Sequence, residues 1–160
     1  MASGDMFLKL ESQRAGVVVG ESTDSVHPNQ IEVLGWSWGM TTSQTIGGAG
    51  AGSRSSLSEL RISKLVDTAT TSLMSVMRTN DVIKEAVLTV RKAGGVQIDF
   101  LIIKVKKGRI TSYDISAPSG PVVAEEFSIA FEEIEVEYHA QDSKGARKGG
   151  SSFVAEVRSV

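Results

Sequence analysis

Glu125-Glu-Phe-Ser-Ile-Ala-Phe-Glu-Glu-Ile-Glu-Val-Glu-Tyr-His139 is the stretch that decides the fold. Phe127, Ile129 and Phe131 recur at every second residue, the spacing of one face of a β-strand and not of a helix. The phase then flips, and Ile134, Val136 and Tyr138 continue it. One extra residue near Glu132-Glu133 would put all six on one side. The pattern therefore predicts a β-bulge there, a device of strongly bent sheets and barrel walls. The opposite face carries Glu133, Glu135, Glu137 and His139. Three like charges two residues apart cannot be core. They face water, a lumen, or a cationic neighbour such as Lys104 or Lys106.

The same period runs outward in both directions. Met6 to Leu10 and Val17 to Val19 are short extended runs. Ile31 to Trp38 alternates, with a slip of phase at Leu34-Gly35 where a glycine suits a second bulge. Leu57 to Leu65 sets Leu60 and Ile62 on one face. Ala86 to Val90 and Ile98 to Val105 read as a hairpin around Lys92-Ala-Gly-Gly95, whose glycines suit a tight turn. Ile98 to Val105 is apolar on both faces and so belongs at the centre of a sheet. Ile110 to Ile115 follows Lys107-Gly108 as a further strand, and Ala117-Pro-Ser-Gly-Pro121 is a loop.

One segment, residues 69–79, has the helical period. Asp67-Thr-Ala-Thr-Thr-Ser72 offers N-caps, Leu73, Val76 and Met77 share a face, and Thr79-Asn80 closes the run. Many strands and one helix predict a mainly β fold: a small β-barrel or two-sheet sandwich with a flanking helix. The 160 residues make a single domain, large enough to bury about 70% of its extended-chain surface, and without cysteine it folds unstapled. Two stretches fall outside the pattern. Residues 41–56 are small, glycine-rich and too long for a hairpin turn, and loops of more than ~12–15 residues are commonly functional. Residues 141–152 read as a polar Gly/Lys loop.

Charge and composition narrow the function. Seventeen Lys and Arg against nineteen Asp and Glu give a net charge of -2, without the basic excess of a duplex-DNA binder. No run approaches the ~18 apolar residues of a membrane helix. The N-terminus, Met1-Ala-Ser-Gly-Asp-Met-Phe-Leu-Lys-Leu10, lacks the basic start and apolar stretch of a secretory signal. The expectation is synthesis in the cytoplasm, with any export by a route that reads no N-terminal signal.

The chemical motifs dissolve on inspection. Gly35-Trp36-Ser37-Trp38-Gly39 matches G-x-S-x-G, but a nucleophile elbow needs a helix after the serine, and a glycine-rich loop follows instead. Asp99 or Asp114 with His139 could complete a triad only on paper, since the βαβ alternation of a hydrolase is missing. The plainer reading packs Trp36 and Trp38 on one sheet face with Ser37 on the other. Gly47 to Ser55 lacks the lysine of a phosphate loop and the helix that would open it. His27 and His139 show no metal-ligand spacing. The glutamates from Glu132 to Glu137 are neighbours on one strand rather than a pair across a cleft. Met74 and Met77 read as core filler. No catalytic, cofactor or metal set survives, and a scaffold or binding role working through sheet edges and the long loop remains.

The order of segments resembles a known family. Asp5 to Leu10, Gly20-Glu-Ser-Thr-Asp24, His27, Ile31 to Gly39, the glycine run Gly47–Gly52, Ser63 to Asp67 leading into Leu73-Met74, Leu88 to Gly95, Phe131, Val136 to Tyr138, Gln141-Asp142 and Gly145 are similar to the haemolysin-coregulated (Hcp) proteins. These are the tail-tube subunits of the bacterial type VI secretion system. The end departs from the family pattern, with Ser152-Phe-Val-Ala-Glu156 in place of an aromatic-glycine-tryptophan element. The resemblance implies a fold similar to phage tail-tube proteins, without cofactor or catalytic residues. It implies six-membered rings of the chain itself, stacked into a tube inside a contractile sheath behind a spike. The lumen would carry or chaperone effectors, and the protein would be secreted to the extracellular space or a target cell. On that basis Gln44, Thr45, Ile46, Gly47, Gly48, Gly50, Gly52 and Arg54 are expected to contact the next ring. Glu133, Glu135 and Glu137 are expected on a wet face, in the lumen or at a charged seam. Two other classes stay open: a monomeric small-ligand-binding barrel, which would sediment as a monomer, and a serine hydrolase, which would label at Ser37.

Overall fold

The computed structural model describes residues 5–42, 55–92, 98–141 and 147–157. Among these residues twelve strands and one helix follow one another: β1 (Met6–Ser12), β2 (Gly16–Val17), β3 (Ile31–Glu32), β4 (Gly35–Ser37), β5 (Met40–Thr42), β6 (Ser55–Leu57), β7 (Leu60–Leu65), α1 (Ala69–Arg78), β8 (Ile83–Arg91), β9 (Asp99–Ser116), β10 (Ala124–Ala130), β11 (Glu133–Gln141) and β12 (Arg147–Glu156). The mainly β class with one flanking helix is as expected, and the helix lies where its period placed it.

The strands form two layers that share β9. In the first layer β1, flanked by β2 and β3, pairs with β8, β8 with the first half of β9, β9 with β11, and β11 with β12. In the second layer the last half of β9 pairs with β10, β10 with β7, and β7 with β4. Leu8, Leu10, Leu88, Ile103 and Ile134 from the first layer meet Leu60, Ile62, Ile110, Phe127 and Ile129 from the second in one core. Burying each such side chain contributes about 1.5–3 kcal/mol. The helix adds Ala69, Leu73 and Val76 to it.

The deciding stretch folds differently from expectation. Ala130 lies opposite Arg109 and Glu133 opposite Lys106. Three residues forward on one strand match three back on the other, so no residue is inserted near Glu132-Glu133. Both strands instead turn a corner together between the layers. Lys107 adopts a left-handed backbone (φ 53°) at that corner, which resets the facing of β9 as β10 gives way to β11. Gly108 beside it passes against Ala130, whose carbonyl oxygen would lie 2.7 Å from an added Cβ. The bulge sits one step away, on the other strand. Ser128 pairs with Ser112 and Ile129 with Ile110, leaving Thr111 as the extra residue. Lys107-Gly108 thus bends one continuous strand rather than separating two.

Three further boundaries shift. At Leu34-Gly35 the chain does not bulge within a strand: it leaves β1 and joins β7 in the other layer. The ends of the stretch read as a loop at 41–56 pair with each other as a β5–β6 ribbon. Residues 147–152 of the predicted polar loop 141–152 are strand, because an edge strand with one wet face needs no apolar alternation. Gly150 fits there beside His139, whose Nδ1 would lie 2.6 Å from an added Cβ.

Candidate assembly surface

The outer face of the second layer is built from small polar residues. On β7, Leu60, Ile62 and Lys64 turn inward, which leaves Arg61, Ser63 and Leu65 on the far side. Register then sets Ser37, Arg61, Ser128 and Ser112 in one row across four strands, and Gly35, Ser63, Glu126 and Asp114 in the next. Arg61 and Glu126 form an ion pair at 3.3 Å. Ser128 is buried, whereas Ser37, Arg61 and Asp114 are exposed, so the face is polar throughout and wet away from Ser128. Among the described residues, β4 pairs only with β7, and residues 109–116 of β9 pair only with β10. This layer therefore presents a free backbone edge on each flank, and such edges either need protection or take a further strand.

The outer face of the first layer is charged. Glu133 lies directly opposite Lys106, and Glu135 opposite Lys104. Glu85 and Val87 of β8 extend those two rows on the other side of β9. The lysine row of β9 accounts for two of the three glutamates at alternate positions of β11: each of these Cβ pairs is ~5 Å apart across the strands. Glu137 instead lies opposite Ile102 and near His139, at 3.4 Å.

Each layer holds a buried ionic cluster: one ties the second layer to the start of α1, the other ties the first layer to the 20–30 loop. Lys64 and Glu125, both buried and paired across β7 and β10, bond to one another. Lys64 also bonds to Asp67 at 2.8 Å, and Glu125 accepts from Thr70 Oγ1 at 3.0 Å and from the Tyr113 hydroxyl. Burial, then the Glu125 carboxylate, pushes the Tyr113 hydroxyl well above the usual tyrosine range. Asp67 holds the start of α1 as well, accepting from the Ala69 N–H at 2.9 Å. In the second cluster His27 stacks on Phe7 and bonds to Asp99 at 3.2 Å, while Asp24 meets Arg91 at 2.9 Å. These groups fasten the 20–30 loop over the end of β1 and the β8–β9 pair.

Neither cluster forms a reaction centre. Ser37 is exposed on β4, His139 sits on β11 in the other layer, Asp114 lies opposite Glu126, and Asp99 is taken by His27. The triad drawn on paper is not assembled. Among the described residues no three His, Asp or Glu side chains come together as a metal site. A groove of about 410 Å³, lined by Lys9, Val17, Val18, Val19, Pro28, Asn29 and Gln30, runs along the edge of the first layer and not between the layers. No helix among the described residues is long and apolar enough to cross a membrane. Gln44, Thr45, Ile46, Gly47, Gly48, Gly50, Gly52 and Arg54 lie outside the described residues. The hydroxyl-lined face went unread in the sequence, although Arg61-Ile-Ser63 and Ser112-Tyr-Asp114-Ile-Ser116 carry its alternation.

Known proteins share this arrangement. The family profile described as "Type VI secretion system effector, Hcp" matches residues 7–138. Protein hcp1 of Pseudomonas aeruginosa is 35% identical over 150 residues, covering 91% of this chain and 90% of its own. A solved type six secretion system protein superposes with a TM-score of 0.83 at 26% identity, over 95% of this chain and 96% of its own. A type VI secretion system effector from Yersinia pestis gives 0.75 at 27% identity, over 96% and 100%. The anti-feeding prophage baseplate, at 10% identity and a TM-score of 0.51, shares the fold alone. Matched along nearly its whole length by the family profile and by a relative of 35% identity, the chain belongs to the Hcp family, the secreted structural tube proteins of type VI secretion.

Proposed function

We propose that six copies of this chain close into a ring and that the rings stack into the tube that sheath contraction drives out behind the spike. One observation carries this reading. Among the described residues the second layer is unpaired at both edges and polar on its outer face, so β4 of one copy can pair with the last half of β9 of the next. That contact joins different edges, so it is heterologous and must close by rotation. The rows through Ser37, Ser63, Ser112 and Asp114 then line the lumen. Small hydroxyls and paired charges give a wall along which polar effectors are held or pass without a dry contact. In this arrangement Glu133, Glu135 and Glu137 lie on a charged outer seam rather than in the lumen. Gln44 to Arg54 reach the neighbouring ring. The protein is made in the cytoplasm and leaves with the machine.

Mass photometry with negative-stain imaging of the purified protein tests this. Six-membered toroids are expected, and a stable monomer at micromolar concentration removes the reading. Deleting Gly47–Gly52 is expected to leave rings intact and to weaken tube growth.

A further inference from the structure

The β5–β6 ribbon stands at one end of the second layer. Its three residue pairs, Met40 with Leu57, Thr41 with Ser56 and Thr42 with Ser55, pair with no other strand among the described residues. Met40 is 51% exposed, and β5 is exposed along its length. A two-stranded ribbon is marginal in water by itself and gains most from something to lie on.

At the opposite end of the same layer, about 17 Å along β7, a different surface is uncovered. Leu65 closes β7 and Val66 follows it, 45% and 42% exposed. Val66 N–H bonds to the Val123 carbonyl, which brings Val122, 59% exposed, to the same end. Leu65 pairs with Ala124 across β7 and β10. Three large aliphatic side chains in water at the end of an otherwise polar face are an unfilled contact. The loop behind them, Ala117-Pro-Ser-Gly-Pro121, is stiffened by two prolines.

We propose that Leu65, Val66 and Val122 form the seat for the β5–β6 ribbon of a second copy, with Met40 as the apolar anchor. The assignment rests on the ring-and-tube reading and names the acceptor within it. Ribbon and seat lie at opposite ends of one layer, so a copy cannot seat its own ribbon. A contact between opposite ends repeats without closing and builds a filament. The seat is apolar where the ribbon offers its methionine, a flexible side chain suited to an irregular contact.

The test separates stacking from ring closure. Val66→Glu and Val122→Glu, both at exposed positions, are expected to keep the melting temperature and the six-membered ring and to abolish tube growth under conditions where the wild type stacks. Met40→Glu is expected to do the same. The chain has no cysteine. Met40→Cys protein mixed with Val122→Cys protein should therefore cross-link between copies with a short bismaleimide, and neither variant alone should. Rings that stack normally with the glutamates in place hand the patch to another occupant, such as a sheath subunit, and overturn the assignment. So do tubes that form without the mixed cross-link. A wild-type protein that forms no ring overturns the ring reading and this assignment with it.

Discussion

Asp24 and Arg91 face one another across 2.9 Å with their side chains 9% and 1% exposed. The pair joins the 20–30 loop to the end of β8. The Arg91 guanidinium, lying over the Phe7 ring at 5.1 Å, forms an ion pair with Asp24 and holds its carboxyl at about 2, and the Val26 and His27 N–H groups act in the same direction against the cost of burial. A carboxyl depressed in the fold stabilises it above the unfolded value, near 3.9, and that contribution is lost as pH falls through about 2. Asp24→Asn keeps an acceptor for the two backbone N–H groups but removes the charge. It should flatten the loss of stability over that acid window while lowering stability at neutral pH, read from urea midpoints across pH. Arg91→Met, which strands a buried carboxylate, should cost about 3–5 kcal/mol at pH 7. A variant as stable as the wild type at neutral pH defeats the argument.

Lys64 tests whether the second cluster specifies packing. It bonds to both Glu125 and Asp67, and Glu125 is bonded in turn by Thr70 and Tyr113. Lys64→Met leaves the buried Glu125 carboxylate with only the neutral Thr70 and Tyr113 hydroxyls as named partners and should cost about 3–5 kcal/mol. The double change Lys64→Met with Glu125→Leu replaces a buried pair by apolar groups of similar volume and should recover most of that loss. Chemical denaturation of the three proteins decides it. A double variant no better than the single one shows that the pair does more than compensate itself.

The sequence disclosed some of this and hid the rest for identifiable reasons. Alternation through Phe127, Ile129 and Ile134 gave the core face, and the doubly apolar Ile98 to Val105 gave the central strand. A flip of phase, however, looks the same whether one strand gains a residue or a strand pair turns a corner. Only the register of Ala130 against Arg109 and Glu133 against Lys106 separates the two. Residues 147–152 read as loop because edge strands carry little hydrophobic signal. Lys64 and Glu125 lie 61 positions apart, and charged residues usually mark solvent, so their burial was illegible without pairing. The face through Ser37, Ser63 and Ser112 was hidden because serine at alternate positions resembles loop composition as much as a wet strand.

Lys104 and Lys106 bear the charge balance of the first layer's outer face. Each lies opposite a glutamate of β11, with Glu85 on the far side of Lys106. Lys104→Glu combined with Lys106→Glu would set carboxylates directly opposite carboxylates, at about 0.2–1 kcal/mol for each pair reversed. The loss should shrink as salt is raised from 0.01 M to 1 M, because the Debye length falls from about 30 Å to 3 Å. A melting temperature that drops equally at both ionic strengths points to packing and not to charge.

Gly108 sits where the two layers part, and the corner depends on it. An added Cβ would lie 2.7 Å from the Ala130 carbonyl oxygen and 3.0 Å from Ile129 Cγ2. The first contact is with backbone, which cannot swing aside as a side-chain tip can. Alanine there must push β10 away from β9, and it does so next to the Thr111 bulge and the left-handed Lys107, where the ladder is already interrupted. Gly108→Ala should therefore cost several times the roughly 0.5–1 kcal/mol by which alanine ordinarily outperforms glycine in a strand, and with the opposite sign. Gly149, which has nothing within 4 Å of an added Cβ, supplies the control: Gly149→Ala on the edge strand β12 should be neutral or slightly stabilising. Calorimetric melting of the two variants gives the comparison. If Gly108→Ala melts with the wild type, the corner tolerates a methyl group and the close passage of β9 against β10 is not what sets the angle between the layers.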